Sequence, residues 1–341
     1  MLSKGTATDK ISALAMLVQK DPLATHPFLV QLLNLAKKHN RKQAEQAVTA
    51  FKDLYAQGYL FKLSTKLYVF QRNPVIVEKR NKCSEDEIML AYHEHCVREL
   101  LREFCTQILQ QMSHAEMEFQ KKTALDIGAQ ILPYGKMADL TPQIISMIVN
   151  KFGDSVKKVQ CHAINTMVRV LTRFHGENRE EIQTTILKEI SIFLMRPGIK
   201  PSHRIYALGY LNKAASILIG SGNIDARHSI LSIYFNLFNR LLHQDTEGKT
   251  EVVQIKKDRK VSKNERQKME KEAKKKIGSV DEEDNKVIEL VLKGINVVMV
   301  KSSAKMDDEL KSLLETQTNL LFKLTHHKVF RIQLQTLKLL F

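Results

Sequence analysis

At 341 residues the chain is long enough for two ordinary domains or one elongated repeat domain, and 53 Lys and Arg against 37 Asp and Glu give it a net charge of +16 at pH 7. No uninterrupted apolar run approaches the ~20 residues of a membrane span, and the polar start "MLSKGTATDK" carries no signal-peptide apolar region. Four scattered cysteines without a CxxC pair (Cys83, Cys96, Cys105 and Cys161) argue against a disulfide framework and read as small buried hydrophobes of a reducing compartment, while the charge favours acidic partners, nucleic acid first.

Taken in chain order, nearly every periodic segment has the helical period. In "RKQAEQAVTAFKDLYAQG", Ala44, Ala47, Val48, Phe51, Leu54 and Tyr55 form one apolar stripe, and Gly58 stands where a left-handed cap ends the helix. The strand-like alternation of period two is absent, with "KLYVF" (Lys66–Phe70) as the one candidate. Ser84 with Glu87 spells a capping box before a helix over Ile88–Met112. Thr141-Pro142 reads as N-cap and first helical residue, Asp154 as a further N-cap, and Asn178 with Glu181 and Ser202 as two more; Gly176 and Gly220 suit helix ends. The chain is therefore expected to be all-α.

Helix starts near 141, 154, 178, 202 and 225, joined by short loops, imply antiparallel neighbours. Paired helices recurring about every 40–50 residues without a strict repeat point to a HEAT/armadillo-like α-solenoid, with a globular helical bundle as the rival architecture. The solenoid is expected over 1–243. Lys249–Lys276 holds twelve Lys and Arg against five acids and four aliphatic residues, so 244–282 reads as a charged insertion, flexible or marginally helical: an RNA-contacting or nuclear-import arm, or a solvated linker. Amphipathic helices resume at Val287–Val300 and Leu310–Leu324, making 283–341 a continuation of the solenoid. The chain stops at "LQTLKLLF" with an apolar face uncovered, which suggests a truncated sequence.

Catalytic and cofactor chemistry finds no foothold in the motifs. "HEHC" (His93–Cys96) lacks the HExxH spacing, and no second cysteine pair completes a tetrahedral metal site. "TEGKT" ends like a P-loop, but His243 stands where the first glycine is needed. Cys161 and His162 are adjacent on one helix and point roughly 100° apart, so they read as a core cysteine beside a polar-face histidine. No enzyme, metal or cofactor is expected. What remains is basic: Lys37, Lys38, Arg41 and Lys42 crowd one helix–helix corner, Lys151, Lys157 and Lys158 surround "VNKFGDSVKKVQCHAIN", and Arg196, Lys200 and Arg204 surround "MRPGIKPSHR". Aligned along a solenoid edge, these ten side chains could track phosphates, and an all-helical edge would read shape and backbone rather than base identity; scattered lysines that merely confer solubility are the alternative.

Several stretches together resemble one family. "GTATDKISALAMLVQKDP" (Gly5–Pro22), "LAKKHNRKQAEQAVTAFKDLY" (Leu35–Tyr55), "VNKFGDSVKKVQCHA" from Val149, "EISIFLMRPGIKPSHRIYALGYLNKA" (Glu189–Ala214), "ILSIYFNLFNRLL" (Ile230–Leu242), "VLKGINVVMV" (Val291–Val300) and "LLFKLTHHKVFRIQLQTLKLLF" (Leu320–Phe341) follow the order of the CCAAT-binding-factor/nucleolar-complex (Noc/Mak) family. Val297–Val300 depart from the family's arginine-alanine-phenylalanine-proline block, and its C-terminal domain barely begins before the chain ends. The resemblance implies a nucleolar, nuclear, non-enzymatic assembly factor of the large (60S) ribosomal subunit. It further implies that the protein joins early pre-60S particles, contacts pre-ribosomal RNA, pairs as a heterodimer with a second nucleolar-complex protein, and meets other assembly factors and ribosomal proteins, with no membrane involved. A pure protein–protein scaffold and a DNA-binding transcription regulator are the alternatives; no recognition-helix motif for duplex DNA is present.

Overall fold

The computed structural model describes residues 5–37, 41–61, 66–79, 82–132, 139–173, 179–220, 224–255, 282–300, 312, 315–318, 321–322 and 324–340. Among these residues the protein is all-α, with no strand, as the helical periodicity predicts. No helix among them is long and apolar enough to cross a membrane. The chain divides into two compact units, Met1–Ile182 and Gln183–Phe341.

The first unit contains α1 (Ala7–Lys20), α2 (His26–Ala36), α3 (Arg41–Ala56), α4 (Pro74–Lys79), α5 (Glu85–Glu103), α6 (Gln110–His114), α7 (Glu118–Ile131), α8 (Thr141–Asn150) and α9 (Lys157–Arg173). α1 starts at a full capping box: the Asp9 amide donates to Thr6 Oγ1 at 3.2 Å, and the Thr6 amide donates to the Asp9 carboxylate at 3.0 Å. α1, α2 and α3 each pack against the other two. Ile11, Leu14 and Val18 of α1, Leu29, Leu32 and Leu33 of α2, and Val48, Phe51 and Leu54 from the predicted stripe of α3 are all buried. Each such side chain contributes about 1.5–3 kcal/mol of burial. Gly58 adopts φ 79°, the left-handed conformation expected of it.

The predicted Ser84–Glu87 capping box is present, and the helix it opens reaches His114. It does not run uninterrupted: Phe104–Leu109 form a π-helical turn between α5 and α6. Phe104, Cys105, Ile108 and Leu109 are all buried, a face wider than one stripe of an α-helix, and the widened turn accommodates it. Phe104 stacks on Phe51 with ring centroids 4.6 Å apart, joining this helix to α3. Lys66–Phe70 is not a strand. The buried Glu94 carboxylate accepts the Tyr68 amide and the Asn73 side-chain amide, both at 2.8 Å, and so holds this non-helical stretch against α5.

α7 packs against α3, α6, α8 and α9. α8 begins one residue earlier than the sequence implied: Leu140 precedes it without a side-chain cap, Thr141 is already helical and so is not the N-cap, and Pro142 sits in the first turn. A 3₁₀ turn, Lys151–Gly153, leads to α9, whose apolar side is Val159, Ala163, Met167, Val170 and Leu171. Cys161 stands about 200° around the helix from Val159 and is exposed, so it is not the core cysteine expected. Cys83 and Cys96 are half-buried, and Cys105 alone is fully buried, its thiol pushed up to about 12 by desolvation.

α10 (Arg179–Leu194) spans the division between the units; Asn178 and Gly176, expected as its cap and the preceding stop, lie outside the described residues. The second unit continues with α11 (Pro201–Gly220), α12 (Ile224–Ile255), α13 (282–300), α14 (helical residues 315–318 and 321–322) and α15 (Phe330–Leu340). α12 runs on into the stretch expected as an insertion, and 256–281 lie outside the described residues. At one junction four stretches that carry the family resemblance meet. Asn212 of α11 donates to the Leu290 carbonyl of α13 at 3.1 Å and accepts the Tyr234 hydroxyl of α12 at 2.5 Å. Gly294 faces this pair so closely that a Cβ there would collide with the Tyr234 ring and with Asn212 Oδ1. Two residues on, Asn296 donates to the carbonyl and side-chain oxygens of Gln335 on α15 at 3.3 and 3.1 Å. The glycine-isoleucine-asparagine of "VLKGIN" is therefore a packing device: the glycine admits one helix pair and the asparagine ties the next.

Candidate nucleic-acid interface

The basic residues singled out in the sequence occupy three helix–helix corners, and their surroundings sort them. At the first corner α2 ends at Ala36 and α3 begins at Arg41. Lys37 caps α2 through its backbone amide, and its ammonium is paired with Glu103 of α5 at 2.5 Å. Lys42 is exposed; Lys38 and the side chain of Arg41 lie outside the described residues.

The second corner is built around Asp154. Its carboxylate accepts the Val156 amide at 3.0 Å and Lys121 of α7 at 3.0 and 3.2 Å, with Lys151 at 3.5 Å. Its backbone carbonyl accepts Gln160 of α9 at 2.6 Å. Asp154 thus stands three residues before the helix and organises its entry through an Asx turn instead of capping it directly. Burial acts to raise its carboxyl pKa, but the Val156 and Lys121 hydrogen bonds and the two ammonium charges prevail and hold it below the usual range. Lys151 is consumed in this cluster: its side chain is 12% exposed, and burial pushes its ammonium pKa down against the pull of Asp154. Lys157 and Lys158 are exposed.

At the third corner, between α10 and α11, Arg196 is exposed with its guanidinium 5.6 Å from the centroid of the Phe193 ring, and Lys200 is exposed beside it in sequence. Arg204 is only 5% exposed. Desolvation lowers its guanidinium pKa, Asp284 opposes that, and its Nε has no hydrogen-bond partner among the described residues, so it is an interior residue of the second unit. Of the ten candidates, Lys42, Lys157, Lys158, Arg196 and Lys200 offer accessible charge; Lys37, Lys151 and Arg204 are engaged elsewhere.

The helix ends carry a signal that single residues do not. α3 opens with Arg41-Lys42 and α9 with Lys157-Lys158, and neither has an acid in its first turn. α1, α5 and α10 follow the usual preference, with Asp9, with Glu85, Asp86 and Glu87, and with Glu180 and Glu181. Placing cations at the positive end of a helix macrodipole costs roughly 0.3–1 kcal/mol per charge, a cost that a bound anion would reverse. Beside the second corner, a groove between α6 and α8 is lined by polar side chains at helical spacing, with Gln110 and Gln143 among them. Only the folded chain brings these two helix faces together. Among the described residues no group of three His, Cys, Asp or Glu side chains gathers in a form that could hold a metal ion.

No family model matches the chain. It is similar to the CCAAT/enhancer-binding protein zeta of Mus musculus, 28% identical over 73% of this chain and 23% of that protein. It is also similar to the ribosome biogenesis protein NOC1 of Chaetomium thermophilum, 24% identical over 100% of this chain and 32% of that protein, and to the nucleolar complex protein 1 of Drosophila melanogaster, 22% identical over 99% and 25%. The chain thus spans a third or less of each. The crystal structure of an engineered protein matches at a TM-score of 0.31 and 12% identity, covering 99% of this chain and 75% of that one, a likeness too low to bear on the fold. The curated names bear out the CCAAT-binding-factor/nucleolar-complex resemblance carried by the motifs, at low identity but over most of the chain.

Proposed function

We propose, for a chain that shares the motifs of the CCAAT-binding-factor/nucleolar-complex family along most of its length, a non-enzymatic scaffolding role in assembly of the large (60S) ribosomal subunit. In this reading the chain acts in the nucleolus within early pre-60S particles, its helix pairs are repeats of an α-solenoid, and its basic helix ends clamp pre-ribosomal RNA. Its helical faces hold a second nucleolar-complex protein, alongside other assembly factors and ribosomal proteins. The names of the fungal and fly relatives support ribosome assembly and the nucleolus. The observation that carries RNA contact is the pairing of Arg41-Lys42 and Lys157-Lys158 with acid-free helix N-termini in a chain of net charge +16. Each phosphate neutralised there releases counterions, so affinity should fall steeply with salt and depend little on sequence.

The test is RNA binding by the whole chain at a series of salt concentrations. Reversing charge at Lys42, Lys157 and Lys158 should flatten the dependence of log affinity on log salt by about one unit per lost contact; an unchanged slope rejects these helix ends as the contact. The name of the mouse relative favours a second reading, DNA binding by a transcription regulator. It requires tighter binding to duplex DNA than to structured RNA of equal length. A pure protein–protein scaffold would instead bind neither and would keep its partners after nuclease treatment.

A further inference from the structure

We propose that the groove between α6 and α8 receives one unpaired nucleobase, adenine by preference, so that this chain reads base identity at one point in addition to backbone charge. The inference rests on the RNA-binding reading above and adds a site to it. The groove has a volume of about 290 Å³, small for a drug-sized ligand and suited to a base with its ribose. Gln110, Ser113 and His114 line it from α6, and Gln143, Ser146 and Asn150 from α8. The α6 set follows the i, i+3, i+4 spacing of one helix face and the α8 set i, i+3, i+7, whereas Ile144, Ile145, Met147, Ile148 and Val149 of α8 are buried in the core.

Three features suit a base rather than an ion or a peptide. The lining contains no carboxylate, so an RNA backbone meets no repulsion at its mouth. The side-chain amides of Gln110 and Gln143 carry both donors and an acceptor and have no hydrogen-bond partner among the described residues, the combination that pairs bidentately with adenine N6 and N7. His114 Nδ1 donates to the Gln110 carbonyl at 2.8 Å, which in the neutral ring leaves Nε2 as an acceptor, and Ser113 Oγ lies 3.1 Å from the same Nδ1. Met147, 4% exposed, belongs to the core beneath the groove, and Lys151 lines the groove while its ammonium stays beside Asp154 of the α8–α9 corner. In this proposal the phosphates meet Lys157 and Lys158 at the α8–α9 corner, and one base turns into the groove.

The experiment is fluorescence-anisotropy binding of labelled ten-nucleotide oligo(A), oligo(U) and oligo(C) RNA to the 341-residue chain at low salt. The expected result is an oligo(A) preference of about tenfold. Gln110→Leu with Gln143→Leu should erase that preference while oligo(U) binding and its salt dependence stay as they were. Should the double variant lose helicity by circular dichroism, Gln143→Ala, at an exposed position of α8, takes its place and should reduce the preference. Equal binding of the three oligonucleotides, or a preference that survives the glutamine substitutions, overturns the base pocket and leaves the basic helix ends standing. Absence of binding to every RNA overturns the RNA reading itself.

Discussion

Gly294 shows how one residue type can be dictated by its neighbours. Tyr234 and Asn212 occupy the space where its side chain would be, and Tyr234 is itself wholly buried. Neither partner is the free end of a flexible chain, so the helix must move if a methyl is added. Gly294→Ala is expected to cost about 1–3 kcal/mol, read as a lower urea midpoint with an unchanged m-value; an unshifted midpoint would mean that α13 can slide. The sequence makes "GIN" visible as a motif and says nothing of why. Asparagine at 212 and tyrosine at 234 are far away along the chain, and the close approach that demands glycine exists only after folding. Cys161 teaches the converse. Its place on α9 follows from counting around the helix from Val159, so its exposure was legible in the periodicity, and its residue type misled.

At the scale of elements, helix starts are the best-read feature. Expected starts near 141, 154, 178, 202 and 225 stand against observed ones at 141, 157, 179, 201 and 224, because capping and proline chemistry act locally. What local chemistry cannot show is the π-helical turn at Phe104–Leu109, which answers to Phe51 on another helix. Nor can it show that Lys151 turns inward. The α8–α9 corner draws Lys121 from α7 onto Asp154, and with 5% of the Asp154 side chain exposed this is a buried charge cluster. Asp154→Asn leaves two desolvated ammonium groups without their counterion and is expected to cost about 3–5 kcal/mol. Lys151→Met removes only the longer of the two pairs and should cost distinctly less. Thermal melts of both variants at pH 7 check the order; equal losses would mean that the Asx turn and not the charge holds the corner. Because the folded state keeps the Asp154 carboxyl below its usual pKa of 3.8, its contribution is present at neutral pH and is lost as pH falls through and below that value.

For the molecule as a whole, the charge of +16 and three desolvated histidines, His26, His93 and His203, act in the same direction when pH falls. His26 and His93 lie with ring centroids 5.9 Å apart, and His93 Nε2 has no hydrogen-bond partner among the described residues. Burial lowers the pKa of both, His26 adds to the effect on His93, and Asp21 opposes it. A histidine held below its usual 6.5 stays neutral in the folded chain while the unfolded chain takes up a proton. Stability is therefore unaffected well above pH 6.5 and declines as pH falls below it. Glu94, its carboxyl raised by burial, works the other way and recovers part of the loss toward the acidic end. Asp154 and Glu87, both lowered, stay ionised throughout this range. The melting temperature should thus be lower at pH 5.5 than at pH 7.5. Salt separates the two causes, because added salt screens net charge between exposed groups and leaves the desolvation of a buried ring almost untouched. In high salt the wild type should keep part of its pH dependence, and His93→Phe, which preserves a ring beside Phe61, should lose a share of that remainder, with His26 and His203 keeping the rest. A pH dependence that vanishes in salt for both proteins would assign the whole effect to net charge and leave the histidine pair without a role in it.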